Sequence, residues 1–175
     1  MTSGDDVPEI DRLVQRVLTE FREFIVATGW RGREREAVSL FAFKHLVPAC
    51  APGAVLHDPA QIGIEVPVPQ VTAGGKSQVA KDLVIWPAPH MTVWGDDGNP
   101  SRTPAVVMEW KSAGFPVRSA GERRRDRDRA WLRAWTAAHG GVGYSVGLLF
   151  GPDEVRLATD RVVSGSVDLD WLRLP

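Results

Sequence analysis

The chain is short of cysteine and of long apolar runs, and each shortage removes a class of protein. A single cysteine, Cys50, in 175 residues excludes an internal disulfide framework and a cysteine-rich zinc site. No apolar stretch approaches the ~20 residues that a membrane-crossing helix needs. The N-terminus, Met1 to Ile10, is acidic and lacks the apolar centre of a secretion signal. An excess of charge of one sign is missing too, with 21 basic against 22 acidic residues. The formal net charge is −1, so attraction to nucleic acid or membrane must be local rather than global. There are no internal repeats and no low-complexity segment. The expectation is a cytoplasmic protein with no membrane partner, folded as one domain over residues 1–175. Its composition, 43% hydrophobic and 25% charged, is that of an ordinary globular chain and argues against disorder.

The basic residues are lopsided in kind, 17 arginines against 4 lysines. That makes each lysine informative, and Lys76, Lys81 and Lys111 fall in one stretch. Around them the hydrophobic pattern can be read. Ile10, Leu13, Val14, Val17, Leu18, Phe21, Phe24 and Ile25 recur at i, i+3, i+4, i+7, which predicts an amphipathic helix over 8–28. A second helix is predicted from about Arg33 to Val47, stopped by Pro48. Strict alternation at Ile62, Ile64, Val66 and Val68 predicts a strand, which Pro67 and Pro69 confine to an edge. A turn at Thr72–Gly75 follows. Val79 to Trp86 reads as a buried strand, Met91 to Trp94 as a short one before a turn at 95–99, and Ala105 to Lys111 as the central strand. Residues 119–139 return to helix, 142–150 and 154–158 to strand, and 159–175 is expected as a tail packed on the body. One sheet with helices against it, an α/β layer fold, follows from this order.

Two strands carry isolated charges. In the central strand Glu109 and Lys111 are two apart and project to one face while Trp110 faces away. Charges on an apolar strand are costly without partners. Asp82 similarly enters the apolar run Leu83-Val84-Ile85-Trp86. If the two strands are neighbours, Asp82, Glu109 and Lys111 share a site. Paired carboxylates repel unless a cation lies between them, and oxygen-only ligation suits Mg²⁺, with Mn²⁺ as the alternative. A lysine beside such an ion can hold a water or support developing phosphate charge. A strand-end salt bridge is the plainer account of the same residues.

Asp82 followed by Glu109-x-Lys111 on the next core strand resembles the PD-(D/E)xK nuclease superfamily, whose fold is that of the restriction endonucleases. The lead-in Lys76-Ser77-Gln78-Val79-Ala80-Lys81 before Asp82 is similar to that of bacterial members, and Ser112 directly after Lys111 is common among relatives. Lys81 stands where the proline that names the motif would be, and no Gln-x-x-x-Tyr signature follows the third core strand. The resemblance covers about residues 30–150 and implies an αβββαβ core, a mixed central sheet flanked by helices, preceded here by the extra helix 8–28. It also implies metal-dependent hydrolysis of DNA, with RNA left open, or a catalytically silent nuclease-fold module that binds nucleic acid or a protein. The implied ligands of Mg²⁺ are Asp82, Glu109 and the Trp110 carbonyl, with Lys111 positioning water. A glutamate from the preceding helix completes such sites. Glu36 is preferred to Glu34 because it shares a face with Leu40 and Phe43, although either could be a first-turn carboxylate in solvent.

A second signal is the run from Arg118 to Arg133, with seven arginines against Glu122, Asp126 and Asp128. Beside a metal site such a helix would meet a phosphate backbone, with Arg123, Arg124 and Arg125 as the expected contacts and Lys76 and Ser112 adding to them. A solvated face laced with ion pairs is the other reading of the same run. No target-recognition segment is evident, so specificity is expected from a homodimer or a partner protein. Several motifs carry nothing: Gly75-Lys76-Ser77 lacks the rest of a phosphate loop, and His45, His57, His90 and His139 have no ligand spacing. Cys50 has no nearby base, and the spacing of Trp131 and Trp135 is that of core residues.

Overall fold

The computed structural model describes residues 7–71, 77–91, 102–114 and 119–175, with the backbone alone at 119–121. The turn expected at 72–75, the strand and turn expected at 91–99, and the residues Lys76 and Arg118 lie wholly or largely outside the described residues.

Among these residues the chain forms an α/β fold around one six-stranded mixed sheet. The strands are β1 (Ile62–Pro69), β2 (Gln78–Ile85), β3 (Val106–Gly114), β4 (Val142–Phe150), β5 (Val155–Val163) and β6 (Ser166–Leu174), in spatial order β1-β2-β3-β4-β5-β6. All neighbours are antiparallel except β3 and β4. A parallel pair needs a long crossover, and α3 (Ser119–His139) supplies it. The crossover closes on Gly141, at φ +75, where a Cβ would stand 2.6 Å from the Ala105 carbonyl oxygen. Only glycine fits that approach.

The helices divide between the two faces. α1 (Val7–Thr28) buries the predicted stripe of Ile10, Val14, Val17, Leu18, Phe21 and Ile25 in a core shared with Leu83, Ile85, Met108, Trp110, Leu157 and Leu172, and lies nearest β5 and β6. α2 (Glu34–Phe41) lies on the same face, where Phe21 and Phe41 close on Trp110 at ring-centroid distances of 5.7 and 5.0 Å. The helix expected to run to Val47 instead widens into a π-turn at Ala42–Leu46 and a 3₁₀ turn at Val47–Ala49. Pro48, which can neither donate nor pack against the preceding turn, blocks a regular ending. On the opposite face α3 packs Trp131, Leu132 and Trp135 over Val84, Trp86 and Val107.

Two departures from the sequence reading matter. Residues 159–175 are not a tail: they complete β5 and form β6, joined by a turn at Ser164-Gly165. The alternation of Val167, Leu169 and Trp171 is a strand signal. It breaks at Asp170, whose φ is 51, so that Leu172 rather than Trp171 is the buried residue. The second departure is in β1 and β2. Ile62, Ile64, Leu83 and Ile85 pack on the α1 side, whereas Val66, Val68 and Val79 pack on the α3 side. Both strands therefore exchange faces between these sets. The exchange falls at Glu65, with φ 52, and Asp82, which form no ladder pair although the register is unchanged on either side.

Candidate functional site

The β2–β3 ladder pairs Leu83 with Met108, Val84 with Val107 and Ile85 with Val106, and then stops. Beyond Met108 the two strands part. On the antiparallel edge of β3, alternate residues turn both N–H and C=O toward the missing partner, and these groups must be satisfied by something else. Side chains satisfy them. The Trp110 N–H donates to Asp82 Oδ2 at 2.7 Å, and the Ser112 N–H donates to Glu34 Oε2 at 3.4 Å. The Trp110 carbonyl oxygen accepts from Lys111 Nζ at 2.5 Å. The fork thus gathers a backbone carbonyl, two carboxylates and an amine where regular sheet would have none.

Lys111 is the hub of this cluster. Its Nζ lies 3.3 Å from Asp128 Oδ2, 3.5 Å from Glu34 Oε1 and 3.8 Å from Asp82 Oδ2. Burial alone would lower the pKa of the ammonium, but Asp128, Asp82, Glu34 and Glu109 outweigh it and hold the pKa above its ordinary value. Glu34 is pushed up by burial and by Asp82, against the pull of Lys111 and the Ser112 N–H.

Glu109 is next to the fork but faces a different cation. It is 6% exposed and pairs with Lys81, itself 4% exposed. The Lys81 ammonium also sits over the Trp131 ring, 3.5 Å from its centroid, a cation–π contact that offsets part of its lost hydration. Trp131 is fixed in turn by stacking on Trp135 and by donating to Gln70 Oε1 at 2.6 Å. The face exchange in β2 is what brings Lys81 here. Simple alternation would put it with Leu83 and Ile85 on the other side of the sheet. Burial pushes the Glu109 carboxyl up to about 7, with Asp82 and Asp128 adding to the rise and Lys81 opposing it.

Of the residues singled out in the sequence, the fork unites Asp82, Lys111, the Trp110 backbone and the Ser112 N–H, with Glu109 close enough to be coupled to Asp82. The helical carboxylate that enters is Glu34. Glu36 is exposed and accepts from the Arg33 N–H at 2.7 Å, closing the first turn of α2. Arg123 and Arg124 are exposed near the start of α3. Arg125 is not free: it bonds the buried Asp160 at 3.0 Å and the Ala158 carbonyl at 3.2 Å. Asp128 escaped the sequence reading, although it precedes Trp131 by three and Leu132 by four and so belongs to their face of the helix.

Oxygen donors suited to Mg²⁺ are therefore present in Asp82, Glu109, Glu34 and the Trp110 carbonyl. Their chemistry fits a hard divalent cation. As arranged, they are turned to Lys81, Lys111 and backbone N–H groups, and no three acidic, histidine or cysteine side chains among the described residues form a ready metal-binding group. No helix among them is long and apolar enough to cross a membrane. Comparisons with known protein families, curated proteins and solved structures find no match.

Proposed function

We propose that the chain is a metal-dependent phosphodiesterase of the restriction-endonuclease-like type, hydrolysing DNA at the fork between β2 and β3. The observation that carries this reading is the convergence of Asp82 and Glu34 on Lys111 at the point where the β2–β3 ladder ends, with Glu109 and the Trp110 carbonyl beside them. Asp82, Glu109 and the Trp110 carbonyl would hold Mg²⁺ or Mn²⁺, with Glu34, rather than Glu36, as the helical carboxylate. When bound, the ion supplies Lewis acidity and a water of lowered pKa. Lys111 stays charged between its carboxylates, and its ammonium orients the attacking water or binds a phosphoryl oxygen as negative charge develops. The exposed arginines of α3 would hold the phosphate backbone in register, whereas the Ser112 N–H is taken by Glu34.

One observation favours a second reading. Glu109 already has a cation in Lys81, as expected of a nuclease-fold module that binds without cutting. Supercoiled, linear and single-stranded DNA incubated with the protein in Mg²⁺, Mn²⁺ or EDTA separates the two. Cleavage that needs a divalent ion and falls at least a hundredfold in Asp82→Ala and Lys111→Met supports the enzyme. A retarded DNA band in Ca²⁺ without cleavage under any condition supports the module. Neither binding nor cleavage would sink the enzyme and the DNA-binding module, leaving only a module that binds a protein.

A further inference from the structure

Among the described residues, the carboxylates at the fork exceed its ammonium groups by two. Glu34, Asp82, Glu109 and Asp128 face Lys81 and Lys111, while the neighbouring Arg125 and Arg129 are spent on Asp160 and Asp126. One divalent ion would bring this cluster to neutrality, and two would overcharge it. Lys81 is the residue that sets the balance. Its amine is held between the Glu109 carboxylate and the face of Trp131, and Trp131 is anchored by Gln70 and Trp135. A buried ammonium in such a cage is hard to displace, because ejecting it leaves an uncompensated buried carboxylate.

Resting on the nuclease-like reading, we infer that Lys81 is a tethered cation filling the place against Glu109 that a second divalent ion would take, so that the site loads one ion and not two. The bond to Lys81 and the cage of Trp131 do for Glu109 what a metal would otherwise do. Asp82, the Trp110 carbonyl and Glu34 would then hold a single ion, with whatever oxygen Glu109 can spare.

Titration calorimetry of the full chain with Mn²⁺ at pH 8 tests this. The wild type is expected to bind one ion. Lys81→Met and Lys81→Gln are expected either to bind a second ion or to bind the first at least tenfold more tightly. Adding Glu109→Gln to either variant should abolish the gain. Wild-type protein that binds two ions overturns the inference without any variant, which keeps it exposed if the substitutions fail to fold. Folded variants with wild-type stoichiometry and affinity also overturn it, while the metal-dependent reading stands because the wild type still binds. If neither the wild type nor the variants bind Mn²⁺, the inference and that reading fall together.

Discussion

Glu109 holds its proton more tightly in the folded chain than in the unfolded one, because burial outweighs the pull of Lys81. Between the ordinary carboxylate value of 4.5 and about 7, the native state retains a proton that the unfolded state has released. Stability from this residue is therefore greatest below that window and declines as pH rises through it. Glu109→Gln keeps the shape and removes the titration, and the loss of a charge partner for Lys81 adds an offset that does not depend on pH. Urea unfolding in EDTA at a series of pH values should show the variant gaining on the wild type by roughly 2 kcal/mol from pH 5 to 8. A difference that stays flat would mean that Glu109 is ionised throughout. At this scale much of the site was legible. Asp82, Glu109 and Lys111 stood out as lone charges in apolar strands, and an isolated buried charge needs a reason. The pairing of Glu109 with Lys81 was not legible, because it depends on a change of face at Glu65 and Asp82 that strand periodicity does not contain. Nor was the choice of Glu34 over Glu36, which the α2 cap settles: Glu36 turns back to the Arg33 N–H, leaving Glu34 to reach β3.

Helix α3 carries arginines of two kinds, and their sequence is the same run. Arg125 and Arg129 converge on Asp160, which is 2% exposed and lies on β5, at 3.0 and 2.9 Å. This pins the helix across β4 to β5. Arg123, Arg124 and Arg127 are exposed. What separates the two sets is a carboxylate over thirty residues away, so the run by itself could not reveal it. Asp160→Asn removes the shared counter-charge and should cost about 2–4 kcal/mol, toward the low side of buried pairs because both guanidinium groups retain some access to water. Arg123→Ala should change stability by less than about 0.5 kcal/mol. Urea midpoints of the two variants check this, and equal values would show that Asp160 does not fasten the helix. The elements themselves followed the sequence closely where one periodicity ruled, as in α1 and β4. They departed where a local change of backbone interrupts it: the π-turn at Ala42–Leu46 in the second helix and Asp170 in β6.

Across the whole molecule the sheet has a helical layer on each face and a gap in its ladder between β2 and β3, and the gap is where unpaired backbone meets charge. The net charge of −1 gives the chain no general attraction to a polyanion. On the proposed reading, affinity is expected from the exposed arginines at the start of α3, where Arg124 stands one turn before Asp128 and Arg127 directly precedes it in the chain. Binding and chemistry should then separate. Replacing Arg123, Arg124 and Arg127 together removes three phosphate partners and should lower the slope of log affinity against log salt by roughly 2–3, at about 0.9 per contact on duplex DNA. Turnover at saturating DNA should remain within a fewfold of the wild type, since none of the three touches the fork. Lys111→Met should do the reverse, leaving the slope within about one unit while abolishing cleavage. Fluorescence anisotropy in Ca²⁺ across a salt series, set beside cleavage rates in Mg²⁺, measures both. A triple variant with an unchanged slope would assign the phosphate contacts elsewhere and leave the exposed arginines of α3 as a solvated face.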